Sequence, residues 1–268
     1  MDEVPVTFDM PSKFTIDVKG SNDVRINTTG AEKNRFTVVL CVTADGEKLP
    51  AYVIFRRKTL PSGSFPSNII VSANEKSCMT SSETQLWHSK VWLKRKMSLF
   101  HRNSLLMLDS APGHRTDEVK SKFSASGTLI AMIPGGLTKK LQVLDISVNK
   151  SFKAHLRQRW EKWMINGVKE YTKSGNLKKA SYEEICRWIS EAWLAVPSSA
   201  IKNGFKKTTI DFYNEMDSES EYIDEKFEEE IEALMEEEGD KDRKIRNQLI
   251  DIFLHEEIFL SDEEEDPE

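Results

Sequence analysis

Leu105-Leu-Met-Leu-Asp-Ser-Ala-Pro-Gly-His114 is the stretch that decides how this chain is built. Four apolar residues run into an acid, and a Pro-Gly turn then delivers a histidine. An apolar run this short, closed by turn residues, reads as a buried strand, so Asp109 stands where that strand leaves the core. Two other stretches repeat the arrangement: Met1-Asp-Glu-Val-Pro-Val-Thr-Phe-Asp-Met-Pro11 places Asp2, and Gly135-Gly-Leu-Thr-Lys-Lys-Leu-Gln-Val-Leu-Asp145 places Asp145. Each aspartate adjoins an apolar or strand-like run, and any one of them alone reads as an ordinary strand-end or cap residue. Brought into one cleft, three carboxylates are what two divalent cations need for in-line phosphoryl transfer. Cutting and joining of nucleic acid is therefore the leading expectation.

Working outward, the first third reads as β structure. Arg35–Thr43 and Lys48–Phe55 flank Asp45-Gly46 as a hairpin, and Asn68–Val71 reads as a short strand. Ser82 to Leu99 suits a helix with Ser82 as its N-cap, followed by the strand at Ser104–Asp109, a short helix at Thr116–Ser124 and a second buried strand at Thr128–Ile133. Pro134-Gly135-Gly136 is a turn. A long helix follows over about Ile146 to Tyr171, with Val148, Phe152, Leu156 and Trp163 at helical spacing. Ser181 caps a helix reaching Ala195, with Glu184 at the capping-box position, and a shorter helix covers about Ser198 to Lys206. This order suits an α/β fold in which a mixed sheet carries helices on its faces.

Charge divides the chain. Residues 1–214 hold 33 Lys and Arg against 20 Asp and Glu, a net of +13; residues 215–268 hold 5 against 24, a net of −19, and together they give the −6 of the whole. The expected domains are thus a basic body over 1–212 and an acidic, helical or disordered tail over 213–268. The body fits a phosphate-backbone partner, and the tail fits either a solvated segment or a handle for a protein partner. Cys41, Cys78 and Cys186 have neither zinc nor disulfide spacing, and no apolar run approaches a membrane span. The chain reads as soluble and intracellular, without a signal peptide.

At the three acids the chain resembles the DDE/DDD transposases of the pogo/Tigger group, which includes domesticated relatives such as jerky and centromere protein B. The family's first pattern is close to Asp-Glu-Thr-Pro-Val, here Asp2-Glu3-Val4-Pro5-Val6. The second is an apolar run, Asp, then His five residues on, here Leu106-Met107-Leu108-Asp109 and His114. The third is Leu-Gln-Pro-Leu-Asp followed by Asn-Lys-x-Phe-Lys, here Leu141-Gln142-Val143-Leu144-Asp145 and Asn149-Lys150-Ser151-Phe152-Lys153. A fourth match is Trp193-Leu-Ala-Val196 with Ile201-Lys-Asn-Gly-Phe205. Val4 replaces Thr and Val143 replaces Pro. The matches run in the family's order over roughly residues 1–212.

The resemblance implies a ribonuclease-H-like endonuclease domain, with Asp2, Asp109 and Asp145 as catalytic metal ligands for Mg²⁺ or Mn²⁺. It implies a DNA partner and a nuclear location. In such a fold the first acid lies within the central strand, so with Asp2 as the second residue the upstream half of that strand is expected to be missing, as is the family's helix-turn-helix region. Two function readings follow: a domain capable of metal-dependent strand cleavage and transfer, or a catalytically silent relative serving as a DNA- or chromatin-associated interaction protein. Around the acids, His114 is expected to approach the phosphate, orient Asp109 or hold the Pro112-Gly113 turn, and Gln142 to support the third acid. Glu3, by strand alternation, should point away from Asp2, and Asp9 and Asp117 read as surface acids. Lys139 and Lys140 before Asp145, and Lys150, Lys153 and Arg157 on one helix face after it, are candidate phosphate contacts or a solvated basic face. The tryptophans at predicted helix positions read as core.

Overall fold

Alternation sets the first strand, β1 (Asp2–Thr7): Asp2, Val4 and Val6 turn inward while Pro5 is exposed. The computed structural model describes residues 1–11, 27–95 and 104–217, with 209–217 as backbone only. Two compact units are resolved, Met1–Thr208 and Thr209–Glu268, and the acidic tail beyond residue 217 lies outside the described residues.

A four-stranded sheet has the order β1-β2-β3-β4, where β2 is Arg35–Leu40, β3 Ala51–Arg56 and β4 Ile69–Asn74. β1, β2 and β3 pair antiparallel in turn, and β4 joins β3 in parallel. The β2–β3 hairpin closes through the expected Asp45-Gly46 turn, where Gly46 takes φ +91°, a region open to glycine. A second, two-stranded parallel sheet is formed by β5 (Ser104–Asp109) and β6 (Thr128–Ile133), linked by helix α2 (Asp117–Ala125).

Both strands read from the sequence at 104–109 and 128–133 have the bounds expected of them. The sheet that contains β1 differs from the expectation. β1 is an edge of the four-stranded sheet rather than a central strand, and it meets β5 where the Met1 amino group donates to the Met107 carbonyl at 2.8 Å. β5 ends at Asp109 and β1 begins at Asp2, so the two strands face each other only at their tips. Pro5 also lacks an N–H for any longer ladder.

Each face of the larger sheet has its own core. Val4, Val6, Phe8, Phe36, Val38, Val53 and Phe55 pack against helices α4 (Asn149–Asn166) and α5 (Tyr182–Ala195). Val39, Cys41, Tyr52 and Ile54 pack against helix α1 (Ser81–Lys90), α2 and β5. The architecture is a mixed α/β one, a mixed sheet flanked by helices in a ribonuclease-H-like order. Trp87, Trp92, Trp160, Trp188 and Trp193 are buried and Trp163 is partly buried, so the aromatic residues are core as the sequence implies.

Several helix boundaries move, among them the end of the last helix, read to about Lys206 and found at Asp217. α1 is capped by Thr80, whose Oγ1 accepts from the Glu83 N–H at 3.3 Å, and not by Ser82. It ends at Lys90, followed by a 3₁₀ turn over Trp92–Lys94; residues 96–99 of the expected helix lie outside the described residues. α4 stops at Asn166 and not at Tyr171. Gly167 is extended there, and residues 169–178 fold back as a hairpin through Gly175 at φ +82°. Ser181 caps α5 as expected, accepting from Glu184 N–H at 3.1 Å. The Glu184 carboxylate turns instead to Trp188 Nε1 and Arg187, so the reciprocal half of a capping box is not made.

A short helix α3 (Thr138–Leu141) and a π-helical turn over Leu144–Val148 lead into α4. Helix α6 (Ser198–Asp217) lies against that turn at Gly204, where a Cβ would stand 2.2 Å from Ser147 Oγ and 2.9 Å from Val143 Cγ1. The glycine of the fourth sequence match thus sets how closely α6 approaches the segment bearing Asp145.

Val143 sits at φ −49° with an extended Gln142 before it, the backbone that proline and its predecessor require. Val143→Pro should therefore change the unfolding free energy by no more than about 1 kcal/mol in urea titration, where a proline misplaced within a helix costs about 3 kcal/mol. A loss of that larger size would show that the turn is not proline-shaped.

Candidate metal centre

Three elements deliver the acids. β1 begins with Asp2, β5 ends with Asp109, and the π-helical turn before α4 carries Asp145. π turns widen the helix by one residue and recur at functional sites. Here the turn sets Asp145 four residues before Asn149, at the first position of α4.

Asp2 and Asp145 meet through Asn149. Its Nδ2 donates to Asp2 Oδ2 at 2.6 Å and to Asp145 Oδ1 at 2.9 Å. Asp2 is buried and Asp145 exposed, so the pair spans the wall of the site. Burial pushes the Asp2 carboxyl up to about 6, against the Asn149 hydrogen bond and with a further push from the charges of Asp145 and Glu3.

Asp109 belongs to a second group. His114 Nδ1 lies 2.9 Å from Asp109 Oδ1 and 3.1 Å from the Asp109 carbonyl, while Nε2 lies 2.9 Å from Glu3 Oε1. The ring is buried, which disfavours its charge, but the bonds to Asp109 and Glu3 outweigh burial and push it up to about 10. His114 is therefore an imidazolium donating from both nitrogens. Its bond, with help from the Ala111 N–H, holds the Asp109 carboxyl below the usual range despite partial burial. All side-chain bonds of Asp109 among the described residues fall on Oδ1, leaving Oδ2 for another ligand.

The sequence-derived residues are thus brought to one end of the fold in two groups. Among the described residues, the acids and histidines whose ligand atoms all lie within 4.8 Å of one another are Glu3, Asp109 and His114; the three aspartates stand wider than that. Alternation does turn Glu3 away from Asp2, yet it keeps Glu3 at the site by pointing it at His114. His114 contacts both the carboxylate and the carbonyl of Asp109, as one of the roles the sequence left open would require. Gln142 is buried and its Nε2 donates to the Met1 carbonyl at 3.4 Å, so it steadies the start of β1 and not Asp145.

Lys139, Lys140, Lys150 and Lys153 are exposed around the Asp145 turn, and Arg157 is half-buried with an enclosed Nε. Asp117 is exposed as expected. Asp9 is not a surface acid: it is buried and accepts from Thr29 and Ala31 N–H and from Trp160 Nε1. Sequence reasoning missed the role of Asn149, although that residue stood in the quoted Asn-Lys-x-Phe-Lys pattern.

The donor set suits a hard divalent cation. It is made of carboxylate oxygens, two of them within 3 Å of one amide nitrogen, and it contains a buried carboxyl that a nearby cation would ionise. The Glu3–Asp109–His114 group fits less well, since an imidazolium already supplies the positive charge there.

A family profile described as "DDE superfamily endonuclease" matches residues 33–205, which include Asp109, Asp145 and Asn149. The chain is similar to "Pogo transposable element with KRAB domain" of Homo sapiens, with 36% identity over 209 residues, 78% of this chain and 34% of that protein. The Mus musculus protein of the same name gives the same identity and coverage. "Pogo transposable element with ZNF domain" of Homo sapiens is 30% identical over 148 residues, 54% of this chain and 10% of that protein. The chain spans about a third of the length of the first two relatives. No solved structure matches it.

The raised Asp2 carboxyl gives a signed pH prediction. Its protonated form is favoured by the fold, so this contribution is fully present below about pH 4 and is lost as pH rises through about 6. Without a divalent cation, Asp2→Asn should stabilise the protein by roughly 1–3 kcal/mol at pH 8 and by little at pH 4, read from urea unfolding at both pH values. Equal stability at pH 8 would place Asp2 in water.

Proposed function

The chain belongs to the DDE superfamily endonucleases, of the pogo transposase type, and from that premise we propose that it is a DNA-associated, metal-dependent strand-cleaving and strand-transferring domain. The observation that carries the reading is the pairing of buried Asp2 with Asp145 across Asn149, beside an Asp109 held ionised by His114. Asp2, Asp145 and the free oxygen of Asp109 would hold Mg²⁺ or Mn²⁺. Bound there, divalent ions would ready a water or DNA 3′-hydroxyl and stabilise the leaving oxygen.

The chain's own residues do the rest. His114 keeps Asp109 charged and fixes which of its oxygens faces the site. Asn149 holds Asp2 and Asp145 together. Gln142 and the Met1 amino group tie the start of β1 to the rest of the site's wall. Lys139, Lys140, Lys150 and Lys153, with Arg157 behind them, would grip phosphates next to the acids. A nuclear location follows from a DNA partner. The domain over 1–212 would carry this activity, with the acidic segment over 213–268 as a handle for a protein partner. Among the described residues no helix is long and apolar enough to cross a membrane.

A second reading has its own support. Among the described residues, Glu3 and Asp109 already meet the charge of the His114 imidazolium, which suits a relative that keeps the scaffold for DNA or chromatin association without cleavage.

Nicking of supercoiled DNA separates the two. Purified protein should nick in Mn²⁺ and not in a chelator, and Asp109→Asn should lose that activity by at least about a hundredfold while keeping its fold and its DNA binding. A folded protein that binds DNA but never nicks it supports the silent scaffold. Binding itself should weaken steeply with salt, and Lys150→Ala with Lys153→Ala should lower the slope of log affinity against log salt by about 2. An unchanged slope would leave these lysines as a solvated face.

A further inference from the structure

We propose that Asn149 is itself a metal ligand, turning its amide by half a rotation to present Oδ1 to a divalent cation held between Asp2 and Asp145. The inference rests on the reading that these two acids bind such a cation. It starts from an imbalance in how Asn149 is satisfied. The residue is 6% exposed, and its Nδ2 makes short bonds to both acids, yet its Oδ1 is enclosed and, among the described residues, accepts no hydrogen bond. With nothing bonded at the enclosed end, no hydrogen bond there opposes rotation of the amide, and either orientation leaves one polar group unpaired in that position.

The distances suit a ligand. In octahedral coordination by Mg²⁺, with bonds of about 2.1 Å, adjacent ligand atoms stand about 3 Å apart. The terminal amide atom of Asn149 stands 2.6 Å from one acid oxygen and 2.9 Å from the other, the spacing of neighbours around one ion. The side chain also has the right symmetry of shape. A half-turn about χ2 replaces NH₂ by oxygen in nearly the same volume, and which of the two faces a site is set by the partners there. Facing two carboxylates and no ion, the NH₂ end donates to both. Facing the same carboxylates around a cation, the oxygen end becomes the favourable one. Few side chains can serve both states without moving the backbone. Asn149 is fixed for this purpose at the first position of α4, four residues after Asp145 on the same side of the helix.

Mn²⁺ binding to the full chain, followed by calorimetry and by the electron paramagnetic resonance signal of free Mn²⁺, tests this without reference to activity. Asn149→Leu, similar in size and without an oxygen, should weaken Mn²⁺ binding at least about tenfold. Asn149→Asp, which offers an oxygen but no donor, should keep or tighten it. An aspartate keeps an oxygen at this position and adds negative charge, so a cation ligated there has no reason to leave. Loss of Mn²⁺ binding in Asn149→Asp, in a protein whose thermal unfolding shows it to be folded, therefore overturns the proposal. So does wild-type binding by Asn149→Leu. Asp2→Asn and Asp145→Asn serve as the control on the premise. If neither changes Mn²⁺ binding, the cation site itself is wrong and the ligand role falls with it; if both do and Asn149→Leu does not, only the role of Asn149 is overturned.

Discussion

Carboxylates of like charge repel, and at the tips of β1, β5 and the α4 turn this fold gathers four of them. What holds them is a pair of side chains that donate in two directions at once. Asn149 reaches Asp2 and Asp145 with one amide nitrogen, and His114 reaches Asp109 and Glu3 with opposite ring nitrogens. The two devices differ in kind. An imidazolium brings a full charge, so Asp109 stays ionised. An amide brings only a dipole, so Asp2 is left with an unfavourable burial that raises its carboxyl. The half of the site with the weaker donor is the half with room for a cation to improve on it.

The scaffold behind these donors is assembled from contacts that reach far along the chain. Lys48, at the end of the β2–β3 turn, donates to the carbonyls of Trp193, Leu194 and Val196, closing the C-terminal end of α5 as a cation should. Trp193 in turn donates to the Leu49 carbonyl and packs edge-on against Phe152 of α4. On the opposite face, Glu83 of α1 accepts from Tyr52 and Ser72 in a buried cluster that ties the helix to β3 and β4. The two layers of helices are thus pinned to one sheet from both sides, and Asp2 stands at the start of its edge strand.

Much of this was legible in the residues because it is local. Leu105–Asp109 and Thr128–Ile133 are short apolar runs between turn residues, and nothing in the tertiary structure overrides them. Ser181 caps the helix that follows it. The site was legible only as a set of acids. Asn149 and Asp2 are 147 residues apart and His114 and Glu3 are 111 apart, and no periodicity encodes such partners. Asp9 misled for the same reason: between Phe8 and Met10 it is one polar residue in an ordinary edge sequence. Its burial depends on Thr29, Ala31 and Trp160, which satisfy it from distant segments. The 169–178 hairpin was hidden because Gly167 is by itself a weak helix breaker, and the turn at Ser174-Gly175 lies eight residues beyond it.

Helix α4 shows how tightly these demands are coupled. Its first residue supplies the bridge between two acids, and its N-terminal end, with the positive pole of the helix, faces their negative charge. Phe152, Leu156 and Trp160 bury one stripe of it in the core against the sheet and α5. Lys150 and Lys153 lie on the adjoining exposed side. Core stripe, acid bridge and basic face therefore share one rigid body. A shift in how Phe152 or Trp160 seats in the core moves the amide that joins Asp2 to Asp145 and the lysines beside it together, because an α-helix transmits the displacement along its whole length. The apolar residues of α4 are in this sense part of the site, though none of them touches it.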